Sequence, residues 1–197
     1  MSLTVKRLLD VVISAAALVI LSPIMVVTAL AVKLTSRGPV FYPWHVVGRD
    51  GKSFVGYKFR SMIDGADRLK CAFLALNEMT GPVFKMSRDP RVTAVGRVIR
   101  KFSVDEFPQL WSVLRGDMSL VGPRPVAHHE WELFEDWQRR KLSVTPGMIC
   151  LWHVNGKPKD FEQWVRMDLE YIDKRSLWLD IRILLRGVGY ILRGGSS

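Results

Sequence analysis

The densest chemistry in this 197-residue chain lies in Arg100-Lys-Phe-Ser-Val-Asp105-Glu106-Phe-Pro108-Gln-Leu110, where two adjacent carboxylates interrupt a basic and apolar run. Ser103 and Glu106 have the spacing of a capping box, which places a helix start here. In such a first turn the positive end of the helix dipole favours ionised carboxylates. The free N–H groups of the same turn would receive a phosphate. Neighbouring helical residues point about 100° apart, so the two carboxylates can do different jobs: one can attack a phosphorus while the other holds a divalent metal. An ordinary solvated first turn carries the same dipeptide. Pro108 removes a helical hydrogen bond and leaves the exact start of the helix open.

Two further stretches offer anion chemistry. Lys58-Phe59-Arg60-Ser61-Met62 is a basic cluster that suits phosphate, or equally a solvated strand end. In Gly122-Pro123-Arg124-Pro125, glycine and proline stiffen the backbone around one arginine, leaving its guanidinium to grip an oxyanion with two hydrogen bonds or to pair with a carboxylate. His128-His129-Glu130 is a poor metal cluster, because consecutive helical residues face different ways. Cys71 and Cys150 sit in apolar stretches without ligand spacing and read as buried free thiols.

The elements that must carry these residues begin with residues 11–32, a run of 22 without a charge, the length of a bilayer span. Ser22-Pro23 falls mid-run, where proline breaks the hydrogen-bond ladder and a serine hydroxyl can satisfy part of it. Basic residues flank both ends (Lys6 and Arg7, Lys33 and Arg37), so charge gives no preferred direction of crossing. A re-entrant helix-break-helix that returns to the face it entered satisfies both facts. A straight crossing and a cleaved signal peptide are the alternatives. Next, residues 40–42 and 54–59 flank an Asp-Gly turn and read as a hairpin. Helices are expected over 64–77, 94–102, 128–142, 161–174 and 177–192, and a strand-like segment over 151–157. The last helix has a basic amphipathic pattern that fits a membrane surface or a buried face. The expected fold is a single α+β, α-rich membrane-surface domain: a re-entrant hairpin at 1–37, a catalytic domain at 38–192 and a flexible tail at 193–197. The formal charge of +10 points to a polyanion: lipid, nucleotide or nucleic acid.

Lys58-Phe-Arg-Ser-Met62, Ser103-Val-Asp-Glu-Phe-Pro-Gln-Leu-Trp111, Gly116-Asp-Met-Ser-Leu-Val-Gly-Pro-Arg-Pro125, Thr145-Pro-Gly147 and Ser176-Leu-Trp-Leu-Asp180, in this order, resemble the bacterial sugar transferases, monotopic phosphoglycosyl transferases of the cytoplasmic face of the bacterial inner membrane. The resemblance covers nearly the whole chain. It implies that Asp105 attacks the sugar-proximal phosphorus of a nucleotide diphosphate sugar, a UDP-hexose by its donor class, and that polyprenyl (undecaprenyl) phosphate then collects the phosphosugar. It implies Mg2+ at Glu106, phosphate contacts at Lys58, Arg100 and Arg124, with Arg60 in the same basic cluster, and a membrane-helix break at Ser22-Pro23. The chain departs from the family pattern at Trp44 and Val46, where Gln-x-Arg is usual, and at Lys157, where arginine is usual. Lysine there keeps the charge and loses the bidentate fork. A non-catalytic membrane-bound module with this fold is the competing reading. Nucleic acid is disfavoured, since no nucleic-acid motif accompanies the charge. The sugar and any homo-oligomer are not readable from the sequence.

Overall fold

The computed structural model describes residues 3–194. Helix α1 runs unbroken over Leu3–Thr35, with Pro23 inside it. The expected interruption at Ser22-Pro23 is therefore absent as a break in helical structure. Pro23 has no N–H to offer Val19 O, and Ser22 Oγ donates to that same carbonyl at 2.8 Å. The freed acceptor is satisfied from the neighbouring side chain, so the helix continues through the proline.

Helix α1 is inside-out. Polar Asp10, Ser14 and Thr28 are buried against the rest of the chain, while Val12, Val19, Ile20, Val26, Val27 and Leu34 are exposed. Among the described residues it is the one helix long and apolar enough to cross a membrane. Both of its halves pack on the same body. Ala17, Leu18 and Leu21 lie against Leu110, Val113 and Leu120, and Met25, Ala29 and Val32 lie against Phe59 and Ile99. Near its start, Arg7 donates to the carbonyls of Val113 at 2.5 Å and Leu114 at 2.6 Å. Asp10 accepts from Leu120 N at 3.1 Å, and Lys6 pairs with Asp180 at 2.7 Å.

Strands β1 (Phe41–Val47) and β2 (Ser53–Phe59) form the expected hairpin, longer than the sequence suggested, with Trp44 opposite Gly56 and Tyr42 opposite Lys58. Its turn needs left-handed backbone at Asp50 (φ 56) and Gly51 (φ 77), which the Asp-Gly pair tolerates best. The segment expected to be helical at 64–77 is a 3-10 helix, Ala66–Leu76. Helix α2 (Ala94–Lys101) starts at Thr93, whose Oγ1 accepts from Gly96 N at 2.8 Å. A 3-10 turn, Val104–Gln109, leads into α3 (Leu110–Arg115).

Strand β3 (Ser119–Val121) and β4 (Val126–Ala127) follow. The segment at 128–142 is not one helix. It divides into α4 (His128–Trp131), α5 (Asp136–Arg139) and a 3-10 turn, Arg140–Leu142, because Phe134 between them is pulled into the core. Strand β5 (Gly147–Ile149) pairs in parallel with β3, and β4 adds to the free edge of β1. Residues expected to be strand-like at 151–157 instead begin with the short helix α6 (Leu151–Val154). A short apolar run cannot separate buried strand from buried helix.

Helices α7 (Phe161–Lys174) and α8 (Leu177–Leu192) are capped by Asp160 and Ser176. Helix α8 has one face in the core and one exposed. Ile183 and Gly187 face the core, whereas Trp178, Ile181, Leu185, Val188 and Leu192 are exposed. Cys150 is buried as expected, but Cys71 is exposed. The architecture is mixed helix and sheet, mainly helical. The tail at 193–197 falls within the described residues only as far as Gly194.

Gly96 fixes how closely α2 approaches the end of β2: a Cβ there would lie 1.9 Å from Ser61 O. Alanine gains about 1 kcal/mol of intrinsic helix propensity over glycine. We nevertheless expect Gly96→Ala to lower the thermal unfolding midpoint, since backbone must move to admit the methyl group.

Candidate functional site

The two carboxylates sit on the 3-10 turn between α2 and α3. Ser103 takes a left-handed conformation (φ 51, ψ 21), and Glu106 N donates to its carbonyl at 3.1 Å. The expected capping box does not form, because the Glu106 carboxylate turns away to Lys58, Oε1 to Nζ at 2.7 Å. Pro108 supplies no N–H to the turn, so regular helix begins only at Leu110. Cations rather than a long helix dipole therefore set the charge of the pair.

The two carboxyls are driven apart in acidity. Burial, then repulsion from Glu106, raises Asp105 to about 6 against the partial relief given by Lys58 and Arg100. Burial would raise Glu106 as well, but attraction to Lys58 and Arg124 outweighs it and holds that carboxyl down. One group is a firmly ionised anion. Its neighbour is a more basic carboxylate, ionised at neutral pH.

Around this pair lies a cleft of about 1150 Å³ that includes Lys58, Arg100, Arg124, His153 and Lys157 in its lining. Lys58 Nζ sits 4.1 Å from the centre of the Trp44 ring. The Arg124 guanidinium lies 5.5 Å from Trp44 and 6.0 Å from Trp152. It forms no ion pair with a carboxylate among the described residues, so of the two readings left open by sequence the carboxylate partner is absent. Arg100 donates from Nε to Ser61 Oγ at 2.8 Å, and burial lowers its pKa, with Asp105 opposing.

Lys157 reaches the cleft from a left-handed residue (φ 46), its Nζ 4.7 Å above the Tyr190 ring. Burial, with repulsion from Lys85, brings its ammonium down to about 8. Arg60 behaves differently from the rest of its cluster. It is buried, and its Nη2 is committed to Ser36 O at 2.9 Å and Ser36 Oγ at 2.8 Å just beyond α1. The structure thus ties Arg60 to the end of the long helix, although its residue still borders the cleft. Ser22 and Pro23 lie within α1, outside this cleft.

Sequence reasoning gave no site role to three contributors, although it marked Trp44 as a departure from the family pattern. Trp44 and Trp152 supply the aromatic faces just described. His153 is half-buried beside them; its Nδ1 accepts from Cys150 N at 3.1 Å, which leaves the proton on Nε2. Burial, then Arg124, brings its pKa down to about 3, so it is a neutral donor. No local pattern marked it, because it sits in an apolar run and meets the carboxylates only through folding.

Among the described residues no three His, Cys, Asp or Glu side chains converge on one point. The cleft instead presents Asp105 and Glu106 side by side, with one Glu106 oxygen already on Lys58. This donor set fits Mg2+, a hard ion that keeps waters and leans on substrate phosphates, better than a metal needing a protein cage.

The family model for bacterial sugar transferases matches residues 1–194. The chain belongs to the bacterial sugar transferase family. It is 45% identical over 159 residues to the galactosyl transferase CpsE of Streptococcus agalactiae, covering 80% of this chain and 35% of that protein. With the undecaprenyl-phosphate galactose phosphotransferase of Salmonella typhimurium it shares 43% over 194 residues, 95% of this chain and 40% of the other. The exopolysaccharide production protein ExoY of Rhizobium meliloti is 37% identical over 188 residues, 93% of this chain and 83% of that one. The chain therefore spans well under half the length of the first two relatives.

In this member of the family Lys157 is a cleft cation whose pKa is brought close to neutrality. Its ammonium is present below about 8 and lost above it. Affinity for inorganic diphosphate, measured by calorimetry, should fall as pH passes through 8, and Lys157→Arg should flatten that fall.

Proposed function

We propose that this chain transfers a sugar 1-phosphate from a nucleotide diphosphate sugar, a UDP-hexose, to polyprenyl phosphate, and that undecaprenyl phosphate is the acceptor. The reaction primes polysaccharide or glycoconjugate synthesis. The observation that carries the reading is the cleft itself, where a basic carboxylate, a firmly ionised one and an uncommitted guanidinium meet beside an inside-out apolar helix. The names of relatives point the same way: the Salmonella protein is an undecaprenyl-phosphate galactose phosphotransferase, and a Komagataeibacter xylinus relative is the corresponding glucose phosphotransferase.

In the first step an Asp105 carboxylate oxygen attacks the sugar-proximal phosphorus. The bond from that phosphorus to the bridging oxygen breaks, and nucleoside monophosphate leaves with the bonding electron pair. Arg124 and Lys58 bind the diphosphate and draw negative charge off the phosphorus, which lets one anion approach another. Arg100 and Lys157 add charge on the flanks. His153, neutral with its proton on Nε2, offers a hydrogen bond without adding a charge. In the second step a phosphate oxygen of the polyprenyl phosphate attacks the acyl phosphate, and Asp105 leaves as a carboxylate. The raised basicity of Asp105 favours attack, while Glu106, held ionised, would hold Mg2+ to neutralise diphosphate charge.

The acceptor is a lipid, so the reaction belongs at a membrane surface. We place α1 in one leaflet as a re-entrant element, with the remainder on the cytoplasmic face of the inner membrane. What supports this is that both halves of α1 pack on one body while its outer face is apolar. The exposed stripe of α8, with Arg182, Arg186 and Arg193, suits an anionic lipid surface.

Two measurements test the reading. Donor without acceptor should leave a phosphosugar adduct on Asp105 by mass spectrometry, and Asp105→Asn should abolish both the adduct and the release of nucleoside monophosphate. Release unchanged in that variant would remove Asp105 as nucleophile. Cysteines introduced at Leu3 and Thr35 should be labelled from the same side of the membrane in intact cells; opposite accessibility would reject the re-entrant placement.

A further inference from the structure

Trp44 lies on β1 opposite Gly56, one diagonal step across the hairpin from Lys58, on the same face of the ribbon. That face also carries Val46, which is fully buried and holds the strand against the core. Trp44 is only half-buried and borders the cleft.

Its ring serves two cations at once. Lys58 is held between the indole face at 4.1 Å and Glu106 Oε1 at 2.7 Å. Arg124, whose guanidinium forms no ion pair with a carboxylate among the described residues, lies 5.5 Å from the Trp44 ring and 6.0 Å from the Trp152 ring. Trp152 is itself fixed, buried and stacked on Trp164 at 4.0 Å with only 3° between the planes. An aromatic face attracts a cation without consuming its N–H donors. A carboxylate in the same place would neutralise the guanidinium and occupy the fork an oxyanion needs.

We propose that Trp44 is a positioning residue: its indole holds Arg124 and the Glu106-bound Lys58 side by side, without taking up a donor of either, as a preformed receptor for the diphosphate of the nucleotide donor. This rests on the nucleotide-sugar reading above and deepens it. Glutamine, usual at this position in the family pattern, has no aromatic face. In this chain the two cations are gathered by the indole, which organises the binding of the intact donor before any bond breaks. The bound diphosphate and its transition state feel the same platform, so the contribution falls on binding rather than on the chemical step.

The test uses the full chain in membrane nanodiscs and the variants Trp44→Phe, Trp44→Gln and Trp44→Ala. Readouts are the thermal unfolding midpoint, UDP affinity by calorimetry, and KM and kcat for UDP-galactose or UDP-glucose with undecaprenyl phosphate. Trp44→Gln and Trp44→Ala should raise KM and weaken UDP about tenfold, with kcat changed less. Trp44→Phe should recover most of the loss. If Trp44→Ala fails to fold, the Phe and Gln pair carries the comparison. UDP affinity and KM in Trp44→Gln equal to the parent's would overturn the inference while leaving the proposed reaction standing. So would equal losses in the Phe and Gln variants, since the aromatic face would then not be the cause. A parent protein that neither binds UDP nor releases nucleoside monophosphate would instead sink the reaction, and this inference with it.

Discussion

Two adjacent carboxylates cannot both stay ionised in a half-buried cleft unless cations are held close to them, and the Lys58–Glu106 contact at 2.7 Å meets that constraint. It joins the hairpin to the turn between α2 and α3, so the charge state of the site depends on a contact between distant parts of the chain. Once Lys58 is committed to Glu106, the two acids diverge. Glu106 remains an anion, while burial and repulsion from Glu106 make Asp105 the more basic of the two.

The cleft walls follow from keeping cations available. Arg91 is paired with Asp89, which accepts from it at 2.6 Å, and Arg60 is tied through its Nη2 to the carbonyl and hydroxyl of Ser36. These arginines build the wall and anchor α1. Arg124 is kept free by a different device, since aromatic rings hold it without taking up its donors. The division of arginines between structural and available is made by their neighbours, not by their local sequence.

Helix α1 links the site to an apolar environment. A helix in a soluble core buries its apolar side chains, whereas here Leu18, Leu21, Met25 and Val32 pack on the body together with the buried Asp10, Ser14 and Thr28, and Val12, Val19, Ile20, Val26, Val27 and Leu34 stay exposed. Two polar groups near the start of the helix tie it down: Asp10 accepts from Leu120 N, and Lys6 reaches Asp180. Tyr171 donates to Asp180 at 2.7 Å, so the start of α1, β3, α7 and α8 meet in one polar network. This fixes the helix on the body that carries the carboxylates.

Much of this was legible in the chain. The uncharged run, the Asp-Gly hairpin, the capped helices ending the chain and the Asp105-Glu106 pair all rest on local rules: length, turn chemistry, side-chain caps and sequence adjacency. The sequence by itself also determined which side chains were available for anion chemistry. Only tertiary structure decided which of them stayed available, because ionisation and pairing depend on neighbours brought in from elsewhere. Folding paired Glu106 with Lys58 rather than with Ser103, moved Arg60 to the end of α1, and set Trp44 and His153 beside the carboxylates. Ser22 shows the boundary between the two. The sequence marked its hydroxyl as able to satisfy the carbonyl that proline frees, and the structure shows it bonded to Val19 O in a helix that runs on through Pro23.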